Sequence, residues 1–192
     1  MLAITREHLL THLLRLSAVV DRYTNSDPAF AEHVARWLSV LEDDLGRLRS
    51  PIASLASSQR AGIVAAGDGR APAGPGGRSI SKRKARALAA AAAMSEVERA
   101  LREQVQKIDK QLETHRDKLA QLIAVFSQHS TLELPPGGVT SAWLDDIWRG
   151  LASLEDTRGM YDYLAARLTA ADRRYLLAEL FENILDNVPV QT

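Results

Sequence analysis

From Lys82 to His129 the chain contains neither proline nor glycine, and the stretch reads as one unbroken helix. At 1.5 Å per residue such a helix runs roughly 70 Å, longer than a compact domain of this size is wide. It must therefore project from the fold or act as its spine. Its apolar residues are spaced as a seam: Val97, Leu101, Val105, Ile108, Leu112, His115, Leu119, Leu122, Phe126 and His129. The steps alternate between three and four, except for two successive fours around Leu101. That is the pattern of a left-handed coiled coil with a local stutter, and it predicts a helical partner.

The flanks of the seam constrain what that partner is. With Val105 at position a, the g residues are Gln104, Gln111, Lys118 and Val125, and the e residues are Asp109, Arg116 and Ile123. No register of opposite charges runs between g and e, so a parallel homodimeric zipper has little support. Near Ile123 the apolar face widens, which predicts that this end of the helix lies inside a bundle.

The rest of the chain divides around this helix. Leu9, Leu13, Leu16, Val20 and Tyr23 form an amphipathic stripe that Leu10 and Leu14 broaden. The breaker Thr24-Asn25-Ser26-Asp27-Pro28 follows, with Ser26 or Asp27 expected as N-cap and Pro28 in the first helical turn. A second stripe, Phe30, Val34, Trp37, Leu41, Leu45 and Leu48, predicts an antiparallel helix that continues or restarts at Ser50-Pro51. Residues 1–66 thus read as an N-terminal helical hairpin, and the Gly/Pro-rich, basic segment 67–81 reads as a flexible linker. The long helix covers 82–129. Beyond the break at Pro135-Pro136-Gly137-Gly138, residues 130–192 carry three short amphipathic helices that predict a C-terminal lobe, the first capped by Thr140 or Ser141, the second starting after Asp156 or Thr157, and the last capped by Thr169-Ala-Ala-Asp172. No alternating run suggests a sheet, so the fold class is all-α.

Composition narrows the function classes. The chain has no cysteine, which excludes disulfides and thiolate metal sites and fits a cytoplasmic protein. No window approaches the roughly 20 apolar residues that span a bilayer, and the start Met1-Leu-Ala-Ile-Thr-Arg-Glu-His is unlike a signal peptide. No membrane partner is expected. Net charge is zero by cancellation between regions. Lys plus Arg against Asp plus Glu is 7 against 7 over 1–66, 12 against 7 over 67–129, and 5 against 10 over 130–192.

Catalytic, cofactor and metal signatures are not evident. His8 and His12 stand one helical turn apart, yet Leu9 occupies the place where a metalloprotease motif carries glutamate. Arg6 and His12 are similar in spacing to the Arg-x5-His of HEPN-type ribonucleases; the likeness spans seven residues of the first helix and carries no function over. Gly76-Gly77-Arg78-Ser79 precedes a helix, but a phosphate-binding loop needs Lys where Arg78 stands, Gly where Pro72 stands, and a preceding strand.

The expectation is therefore a non-catalytic assembly or adaptor subunit that packs its long helix against a partner protein or a second copy. The contact residues expected from sequence are Leu101, Val105, Ile108, Leu112 and Leu119, with Trp143 and Trp148 as anchors. The alternative is a nucleic-acid-backbone-binding protein that uses the basic arm Arg70, Arg78, Lys82, Arg83, Lys84 and Arg86. No aromatic residue lies near this arm in sequence, so base stacking is not expected of it.

Overall fold

The structure is a computed structural model that describes residues 1–68, 81–132, 135–136 and 138–186, with the backbone alone for 183–186. Among the described residues all regular structure is helical: α1 (Leu2–Thr24), α2 (Phe30–Arg47), α3 (Ile52–Gly67), α4 (Lys82–His129), α5 (Ser141–Leu151), α6 (Arg158–Arg167) and α7 (Ala170–Asp186). The chain forms two compact units, residues 7–106 and residues 1–6 with 107–192. The division falls within α4, so the long helix is not a separate segment. It supplies one part of its length to each unit.

In the first unit, α2 and α3 pack closely, and the expected hairpin is in fact joined by a third helix. The chain breaks between them at Leu48–Pro51, where Arg49 takes a left-handed φ of 54°. Arg60 on α3 reaches Glu42 on α2 at 3.0 Å. The core collects Leu9, Leu16 and Val19 from α1, Val34, Leu38, Leu41 and Leu45 from α2, Ile63 from α3, and Val97 and Leu101 from α4. The alanine run of α4 contributes Ala90 and Ala93 to this core, extending the seam toward the helix start with side chains small enough to allow close approach. Polar ties reinforce it, with Gln59 of α3 donating to Glu96 and Arg86 pairing with Glu32 of α2.

The α1 stripe differs from the expected one. The residues turned inward are Leu9, His12, Leu16 and Val19, whereas Leu14 is 76% exposed and Tyr23 is 53% exposed. The polar His12 takes the inward place because its imidazole finds a carboxylate there. The entry to α2 also differs: Asp27 Oδ1 accepts from the Ala29 amide at 2.8 Å, and the helix begins at Phe30. Pro28 therefore sits in the preceding turn, where Ser26 adopts a φ of 55°.

In the second unit the later part of α4 lies among α5, α6 and α7. Ile108, Leu112, Leu119, Leu122 and Ile123 are buried there with Leu144, Ile147, Leu151, Leu164, Leu176, Leu177 and Phe181. Phe126 is half-buried and His129 is exposed, so the buried seam ends at Leu122 rather than at His129. Thr140 caps α5 by accepting from the Trp143 amide at 3.3 Å. Gly150 sits on α5 where a Cβ would stand 2.9 Å from Cζ of Phe126, so glycine is what lets the two helices meet.

Candidate functional site

The five seam residues expected at an interface lie inside the chain. Leu101 and Leu119 are fully buried, and Val105, Ile108 and Leu112 are within a few per cent of it. Trp143 is half-buried with its ring edge-on to Phe181 at 4.6 Å, and Trp148 is buried against Tyr161 at 4.7 Å beneath the Arg173 guanidinium. Both tryptophans are thus anchors for α6 and α7 of their own unit.

The histidines are engaged in the same structural way. His12 is fully buried on α1, and its Nε2 lies 3.1 Å from Oδ2 of Asp44 on α2. Facing a carboxylate, Nε2 carries the proton and donates it, which leaves the buried Nδ1 as a lone pair with no partner among the described residues. Burial pushes the His12 pKa below the ordinary value, and the Asp44 bond opposes that shift only in part. His115 is buried near the Tyr163 ring, with burial and the nearby Arg167 pushing its pKa down. Arg6 is held by Asp109 of α4. No group of three or more His, Asp or Glu is placed to hold a metal among the described residues.

Asp172 is the most completely satisfied buried charge. At 0% exposure its carboxylate accepts from the Met1 ammonium at 2.6 Å, the Ala3 amide at 2.9 Å and the Thr169 hydroxyl at 2.7 Å. Burial raises its pKa, but these donors outweigh burial and hold it below the ordinary carboxylate value. The same Thr169–Asp172 pair closes the start of α7 as a reciprocal cap, since the Asp172 amide lies 3.3 Å from the Thr169 hydroxyl.

Among the described residues of the first unit, two surface features bear on function. One is a leucine face on α1, where Leu14 stands exposed and Leu10 and Leu13 are half-buried beside it. The other is a cleft of about 740 Å³ bounded by the α1–α2 turn and the start of α4. The helix begins at Lys82, with Ser81 Oγ accepting from the Lys84 amide at 3.3 Å, and its first turn holds no acidic residue. Lys82, Arg83 and Lys84 are all exposed. Three cations at a helix N-terminus work against the macrodipole, so the fold gains nothing from them there. Arg70 and Arg78 lie outside the described residues.

The cleft also brings together residues that the sequence keeps apart. Tyr23 and Phe30, tilted against each other at 5.1 Å, line it together with Lys82, Arg83 and Arg86. The expectation that no aromatic stands near the basic arm is therefore corrected by the tertiary fold. No family pattern, curated protein or solved structure matches this chain.

Proposed function

We propose that the chain is a non-catalytic helical assembly or adaptor subunit of the cytoplasm, built on α4 as an internal spine. The observation that carries this reading is the uncovered leucine face of α1. Leu10, Leu13 and Leu14 follow the three-and-four spacing of a helix contact, yet Leu14 is 76% exposed. Because the seam residues of α4 are already buried, the partner protein or second copy meets α1 instead of Leu101, Val105, Ile108, Leu112 and Leu119. The cytoplasmic assignment draws on the cysteine-free composition, and no described helix is long and apolar enough to cross a membrane.

The test is a pull-down from the source cell, with and without nuclease, using the wild-type chain and Leu14→Glu. A protein recovered in stoichiometric amount, resistant to nuclease and lost with Leu14→Glu, supports the reading. Equal recovery by both chains would remove α1 as the contact.

A second reading, binding to the nucleic-acid backbone, is supported by the exposed Lys82, Arg83 and Lys84 in a first turn without acidic residues. Such binding falls steeply as salt rises, because neutralised phosphates release counterions. Reversal of the charges at 82, 83, 84 and 86 abolishes it. Binding that is indifferent to salt would exclude this reading.

A further inference from the structure

We propose that the cleft between the α1–α2 turn and the start of α4 takes up single-stranded nucleic acid, with a base stacked on Tyr23 and the adjoining phosphate at Lys82 and Arg83. This rests on the second reading above and makes it specific, since backbone contact alone does not distinguish a single strand from a duplex.

The charges in the cleft resolve in favour of an anion. Five charged residues line it: Asp27, Glu32, Lys82, Arg83 and Arg86. Asp27 is taken by Arg22 at 3.0 Å and by the Ala29 amide, and Glu32 is taken by Arg86. Lys82 and Arg83 remain exposed with no acidic partner among the described residues. The cleft therefore presents two cations that no acidic group among the described residues neutralises.

The aromatic wall fixes the kind of anion. Phe30 is buried and its ring lies tilted against that of Tyr23, which keeps half of its surface in solvent. An exposed ring set against a buried one is a firm platform, and every base has a π-face to lay on it. At about 740 Å³ the cleft is large enough for a nucleotide unit. A duplex keeps its bases stacked on one another and offers the cleft only its phosphates, whereas a single strand offers both.

The experiment measures binding of the full chain to a fluorescent single-stranded oligonucleotide and to the corresponding duplex at moderate salt. Three variants accompany it: Tyr23→Leu, Tyr23→Trp, and Lys82→Glu with Arg83→Glu. Leucine keeps an apolar contact with Phe30 while removing the ring. The double reversal places anions in the first turn of α4, which the helix favours, so loss of binding there does not reflect unfolding. The expected result is preference for the single strand, weakening of about tenfold or more with Tyr23→Leu, retention with Tyr23→Trp, and loss with the double reversal. Equal binding of strand and duplex that is insensitive to Tyr23→Leu overturns the proposal while leaving backbone binding standing. Absence of binding to either probe overturns both.

Discussion

Replacing Leu101 by alanine distinguishes a seam that is core from a seam that is interface. Leu101 is fully buried by the chain itself, so the substitution removes apolar contacts and leaves a cavity in the first unit. Leucine-to-alanine changes at such sites cost about 2–5 kcal/mol. For a chain of 150–250 residues each kcal/mol lowers the melting temperature by about 2–4 °C, so a loss of about 3 kcal/mol corresponds to about 6–12 °C. Leu14→Ala is the internal control: at 76% exposure it changes stability by no more than about 0.5 kcal/mol. The assay is thermal unfolding followed by far-ultraviolet circular dichroism at two protein concentrations about tenfold apart. An intramolecular core gives a loss that is the same at both, because no association is being broken. If Leu101→Ala left the melting temperature unchanged, or if its deficit disappeared at the higher concentration, the seam would belong to an interface and the reasoning would fail.

Two further outcomes are expected. Stability falls as pH drops below 6.5, the ordinary imidazole value, since the unfolded chain takes up protons that buried His12 and His115 resist in the folded state. Each contributes a slope of at most about 1.4 kcal/mol per pH unit, present in full above the unfolded value and lost as pH falls toward the folded one; urea titrations across this range check it, and His12→Gln flattens the profile. Gly150→Ala destabilises by about 1–3 kcal/mol through the clash with Phe126, but in a Phe126→Leu background the same change is neutral or stabilising, as alanine is the better helix former. A double-mutant cycle that returned no coupling between positions 126 and 150 would show that the helices do not meet there.

The long helix and its partners were legible in different degrees. Period and the absence of breakers located α4 from Lys82 to His129, and the widened face near Ile123 correctly placed its later part in a bundle with α5, α6 and α7. What the pattern does not encode is the source of the helices that cover the seam. An a/d stripe reads the same whether it faces a second chain or other helices of its own chain. His12 shows a related limit: a polar residue at a core position looks like an interruption until Asp44, far along the chain, is known to face it. The exposure of Leu14 follows from that choice, because turning His12 inward rotates Leu14 away from the core. The cleft was hidden for a further reason. Tyr23 and Lys82 are separated by two helices in sequence, α2 and α3, and line one cleft only through the packing of the fold.

The proposed function sets the outward face of α1, and not the seam of α4, against another protein. A photo-crosslinking residue placed at position 14, and separately at Lys110 on the exposed flank of α4, tests this directly in the source cell. A covalent adduct with another protein chain is expected from position 14 and none from position 110. Adducts from position 110 with none from position 14 would contradict it and return the interface to the long helix.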